Sequence, residues 1–109
     1  MDALFQVTRQ ALSTDACRVV VCGEIDMVTA GTLVDAVIEA IADPAVRTVV
    51  LDLDHVGFLD AAGIQALVDA RHFADQHATA LHITNCHGIV RRVMDIVEVW
   101  NWLSAAEAA

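Results

Sequence analysis

Residues 47–68 read RTVVLDLDHVGFLDAAGIQALV, and this stretch decides the fold. Val49 to Leu53 is an apolar run interrupted only by Asp52. Such density suits an inner strand with both faces covered. Asp54, His55 and Gly57 then read as a turn region. Phe58, Leu59, Asp60, Ala61, Ala62 and Gly63 lead into Ile64, Leu67, Val68 and Arg71, and that last spacing is helical. The centre of the chain is therefore strand, loop and helix, with the helix opening at DAAG.

On the N-terminal side, residues 4–10 alternate loosely through Leu4, Phe5, Val7 and Arg9, as an edge strand does. Residues 11–16, ALSTDA, have the Ser, Thr and Asp content of a turn. Residues 17–24, CRVVVCGE, form a Val-rich strand, and the short gap before it implies an antiparallel hairpin. Thr29 is placed to cap a helix whose face carries Leu33, Val34, Val37, Ile38 and Ile41. Asp43–Pro44 ends that helix, because a proline pushes the preceding residue out of helical geometry.

On the C-terminal side, the helix from about Ala62 to Gln76 has a wet end at His72, Asp75, Gln76 and His77. Residues 79–84, TALHIT, read as an inner or near-inner strand with Leu81 and Ile83 on one face. A loop over residues 85–88 precedes a helical face of Ile89, Val90, Val93, Met94 and Val97. Val99, Trp100, Trp102 and Leu103 make a last packing patch, and residues 105–109 favour a fraying helical tail. The order is β-β-α-β-α-β-α. Right-handed crossovers then imply a single α/β domain over residues 1–109. Its expected form is a small mixed β-sheet of four to five strands with helices mainly on one face.

Composition narrows the function classes. The chain has 109 residues, 57% of them hydrophobic, which suffices for a core in one domain. No apolar run reaches the length of a membrane span, and MDALFQVTRQ lacks the basic start and apolar block of a secretory signal. A cytoplasmic location without membrane insertion is expected. The chain has no lysine, six arginines and fifteen acidic residues, for a net charge of −9. That charge repels nucleic acid and suits a partner with a basic surface. The cysteines at 17, 22 and 86 have no metal or disulfide spacing and read as thiols.

Chemistry in such a fold belongs where strands give way to helices. Three loops qualify, residues 24–29, 54–63 and 85–88, and together they would gather Asp26, Asp60, Asn85 and His87. Asp60 also reads simply as a helix cap, and Asp26 as a turn former. No zinc-protease helix, glycine-rich phosphate loop, paired-cysteine motif or nucleophile elbow is present. The two serines, Ser13 and Ser104, lie outside the central unit, which removes a serine nucleophile from it. His55, His72, His77, His82 and His87 lack metal-site spacing, so no metal and no cofactor is expected. Cys86 beside His87 is the candidate for redox chemistry.

GEIDMVTAGTL at 23–33, VVLDLDHVGFLDAAGIQAL at 49–67 and ITNCHGIVRRVMDI at 83–96 together resemble the STAS domain of bacterial anti-sigma factor antagonists. The resemblance covers nearly the whole chain. It implies a switch protein and not an enzyme. Its partner would be an anti-sigma factor of the serine-kinase type, bound by the unmodified antagonist so that the sigma factor is released. It also implies a partner-binding surface of Asp26, Met27, Asp60, Ala61, Ala62, Gly63 and Asn85. The family's phospho-acceptor serine falls immediately before the helix glycine, and Ala62 occupies that position here. Ala61 precedes it, so neither residue can take a phosphoryl group and control by phosphorylation at this site is not expected. Alternative readings are a STAS-like accessory subunit of a lipid or solute transport system, and a nucleotide-binding protein.

Overall fold

The computed structural model describes residues 5–96. Its elements are β1 (Gln6–Ala11), β2 (Ala16–Ile25), α1 (Ala30–Ala42), β3 (Thr48–Leu59), α2 (Ala61–Gln76), β4 (Ala80–Thr84) and α3 (Gly88–Ile96). Order and type follow the sequence reading throughout. The last packing patch, Val97 and the alanine-rich tail lie outside the described residues.

The sheet has four strands in the order β1-β2-β3-β4. β1 and β2 form an antiparallel hairpin. β2 pairs parallel with β3, and β3 with β4. Strand order advances one way through two parallel crossovers, and crossovers of the usual right hand stack their helices on one face. α1 packs on β1, β2 and β3, α2 on β3 and β4, and α3 on β3. Between them lies one core built from alternate strand residues, Cys17, Val19 and Val21 on β2, Val49, Leu51 and Leu53 on β3, and Leu81 and Ile83 on β4. Leu33 and Val37 of α1, Leu67 of α2, and Val90 and Met94 of α3 close it from above.

Three local expectations are revised. β4 is an edge strand of the described sheet, not an inner one. Val50 and Asp52 of β3 are only half-buried, so the strand is fully covered on its helix side alone. Ile89, assigned to the inner face of the third helix, is exposed, while Val90 and Met94 are buried.

The largest difference concerns residues 54–59, which extend β3 instead of forming a turn. β3 carries two irregularities against β2. Val20 pairs with Asp52 but Cys22 with His55, and Gly23 pairs with Val56 but Glu24 with Phe58. Each step spends one extra residue on β3, which is a β-bulge. Inward positions therefore run 49, 51, 53, then 56 and 59. Gly23 adopts φ 112° at the second irregularity, a conformation open to glycine.

Candidate functional site

β2 and β3 end side by side, with Ile25 opposite Leu59. The turn after each strand is locked by short-range hydrogen bonds. After β2, the Asp26 carboxylate Oδ1 accepts from the amides of Val28 at 2.9 Å and Thr29 at 3.1 Å. Contrary to the expectation from sequence, the Thr29 side chain does not cap the helix. Its hydroxyl accepts from the Asp26 amide at 2.9 Å and donates to the Glu24 carbonyl at 2.7 Å. Asp26 is thus a turn former that also satisfies amides leading into α1.

After β3, Asp60 takes the N-cap position of α2, and its Oδ1 accepts from the Gly63 amide at 3.0 Å. Its own amide donates to the Ile25 carbonyl at 3.3 Å, which pins the start of α2 to the end of β2. Gly63 is buried against the same carbonyl. A Cβ there would lie 2.5 Å from the Ile25 carbonyl oxygen and 3.1 Å from Leu59 Cδ1. The DAAG segment therefore needs a short acceptor at 60 and a glycine at 63. The structure brings Asp26, Met27, Asp60, Ala61, Ala62 and Gly63 to one end of the sheet.

Asn85 and His87 are engaged elsewhere. β4 stops opposite Asp52, whereas β3 runs on to Leu59, so the 85–88 loop leaves the sheet seven residues earlier. The Asn85 amide donates to Asp52 Oδ1 at 3.1 Å, and Asp52 also faces Arg18 at 3.8 Å. His87 Nε2 lies 2.9 Å from the Asp54 carbonyl and 3.2 Å from Asp54 Oδ1. These contacts tie the loop to the middle of β3. Asn85 itself has φ 59°, a left-handed turn that asparagine tolerates.

Cys86 is half-buried and packs against the core. Burial pushes its thiol up to about 11, against a smaller opposing pull from Arg91. Loss of solvation also holds His82 below its ordinary range, with Arg71 adding to the effect. Among the described residues no group of three His, Cys, Asp or Glu is arranged to hold a metal ion. No helix among them is long and apolar enough to cross a membrane.

Two features were not assigned from sequence. The first is exposed apolar surface at the strand ends, where Val28 and Phe58 extend the surface already expected at Met27. Met27 and Val28 are 81% and 85% exposed, and Phe58, paired opposite Glu24, is 43% exposed. The second is a groove of about 360 Å³ between α1 and α2. Ala30, Gly31 and Val34 form one side, and Ala62 and Ala66 the other. Its walls also carry Asp35, Gln65 and Asp69. Ala62, the residue singled out at the helix start, lies inside this groove. The signal available in sequence was the matched stripe of small residues at 30, 31 and 34 and at 62 and 66, which only the parallel crossover places face to face.

The sequence model of the family described as the STAS domain matches residues 9–105. No curated protein matches the chain by sequence. Among solved structures, an anti-sigma factor antagonist from Mycobacterium paratuberculosis is 25% identical, with a TM-score of 0.81 over 94% of this chain and 87% of that one. The Bacillus cell fate determinant SpoIIAA in its phosphorylated form is 19% identical, with a TM-score of 0.67 over 95% and 93%. A sulfate transporter family protein from Wolinella succinogenes is 14% identical, with a TM-score of 0.74 over 87% and 76%. The last two likenesses are of fold.

Proposed function

The chain belongs to the STAS domain family, and from that premise we propose that it is an anti-sigma factor antagonist whose docking surface is permanently in its unmodified state. The domain is a protein-binding module related to anti-sigma factor antagonists and to STAS domains of transporters. The finer reading is that it binds an anti-sigma factor of the serine-kinase type and thereby releases a sigma factor. It is a binding reaction and not a catalysed one.

The observation that supports this reading is Ala62, a small apolar side chain lining an open groove at the first turn of α2. A phosphoryl group at this place would add up to about two negative charges and considerable bulk beside the Asp60 cap. Alanine carries no hydroxyl, so residue 62 stays small and uncharged whatever kinase is present. Exposed Met27 and Ala61 lie in the turns that Asp26 and Asp60 lock at the same end of the sheet. Asn85 contributes by fastening the β4–α3 loop to β3.

The test is calorimetric titration of an anti-sigma factor kinase from the same genome with the parent and with Ala62→Asp. The carboxylate stands in for the phosphoryl charge, and binding weakened at least about tenfold is expected. Ala62→Ser is the companion, because the kinase and ATP should phosphorylate it and leave residue 62 of the parent unmodified. Equal affinity of the parent and Ala62→Asp removes the proposed landing site.

A further inference from the structure

We propose that the groove between α1 and α2 seats a partner segment in which an apolar side chain is flanked by arginine or lysine. The inference rests on the protein-binding reading above and specifies the chemistry of the bound segment. The groove's floor is made of small groups, Ala30, Val34, Ala62 and Ala66, with Gly31 among them. A Cβ on Gly31 would meet nothing within 4 Å, so the missing side chain leaves space that a partner's apolar group can fill. Asp35 and Asp69 stand on opposite helices above that floor, and Gln65 donates to Asp69 Oδ1 at 2.8 Å, which orients the carboxylate.

Charge identifies the occupant. No arginine or lysine occurs between Arg18 and Arg47, or between Arg47 and Arg71. These two intervals contain both walls of the groove and both turns that open α1 and α2. They hold Glu24, Asp26, Asp35 and Glu39 in the first and Asp54, Asp60 and Asp69 in the second, besides Asp43 and Asp52, which face Arg9 and Arg18. A desolvated apolar anchor supplies binding energy, while cations beside it meet Asp35 and Asp69 across a partly dry groove. A second copy of this chain would bring the same carboxylates face to face, and its net charge of −9 opposes that pairing. The occupant is therefore a basic segment of a different protein.

The experiment records backbone amide shifts of the isotope-labelled full chain during titration with three peptides. All three share their apolar positions and differ only in flanking residues, which are arginine, glutamine or glutamate. The arginine peptide is expected to shift amides within residues 30–35 and 62–69. The glutamine peptide should bind at least about fivefold more weakly and the glutamate peptide should leave those amides unmoved. Asp35→Asn with Asp69→Asn should weaken the arginine peptide roughly tenfold. Gly31→Leu fills the groove without altering charge, and should abolish the shifts while leaving the melting curve intact.

Absent shifts, shifts centred outside the two helices, or an equal response to the glutamate peptide would overturn the proposal. Titration of the anti-sigma factor kinase separates this proposal from the reading beneath it. Undiminished kinase binding by the double variant and by Gly31→Leu removes the groove and leaves the antagonist. A groove that takes the arginine peptide in a protein that binds no such kinase keeps the groove and removes the antagonist.

Discussion

Cys86 shows how one side chain's surroundings decide its chemistry. Only the thiolate is a nucleophile, and burial drives the Cys86 thiol up to about 11 from an ordinary 9.0. At pH 7 about one molecule in ten thousand then carries the thiolate. Alkylation by iodoacetamide, followed by mass spectrometry, should accelerate about tenfold per pH unit between pH 8 and pH 10 and level off above pH 11. Fast labelling at pH 7 would restore the redox role that the Cys86–His87 pair suggests in sequence. Stability carries the same sign. The folded chain holds this proton more tightly than the unfolded chain, so the contribution is complete below pH 9 and is lost as pH rises toward 11. Asp60 is the opposite case, legible as a cap in the sequence alone. A short acceptor three residues before a glycine amide at a helix start needs only local geometry to be recognised, and the observed bond joins Asp60 to Gly63 at 3.0 Å.

Among the elements, α2 depends on a contact that no local pattern reveals. Gly63 lets the helix approach the end of β2 until a Cβ would sit 2.5 Å from a backbone oxygen. That oxygen also accepts from the Asp60 amide and cannot move away without breaking the junction. Gly63→Ala should therefore destabilise the domain by about 1–3 kcal/mol despite alanine's better helix propensity. Urea denaturation measures it, and a neutral or stabilising result would show that the helix start can slide. The helices and the succession of elements along the chain were readable because their apolar spacing is regular. Residues 54–59 were not, because the two bulges space Leu53, Val56 and Leu59 three apart. That interval erases strand alternation and reads as a turn. The bulges exist only against β2, and parallel pairing such as Ala16 with Thr48 and Ile25 with Leu59 leaves no local mark. The same limit hid the groove, whose two small-residue stripes belong to different helices, and it placed Asn85 at an end of the sheet that β4 stops short of reaching.

Across the whole molecule, the distribution of charge matters more than its sum. Four of the six arginines sit within 4 Å of an aspartate, Arg9 with Asp43, Arg18 with Asp52, Arg71 with Asp75 and Arg91 with Asp95. These pairs are scattered over the sheet, α2 and α3, and locally cancel the positive charge. The net charge of −9 therefore falls most heavily on the cation-free intervals that build α1, the end of β3 and the first half of α2. A field of that sign, gathered beside an apolar groove, speeds the approach of a basic partner and orients it before any contact is made. Its reach is the Debye length, about 10 Å at 0.1 M salt and shorter as salt is added. Stopped-flow mixing with the bound partner should show the association rate falling about tenfold between roughly 0.05 and 0.5 M sodium chloride, while dissociation changes much less. Asp35→Asn with Asp69→Asn should flatten that dependence, since it removes charge from the groove and leaves its apolar floor in place. An association rate indifferent to salt in the parent would mean that the acidic face is turned away from the partner and that its function is solubility alone.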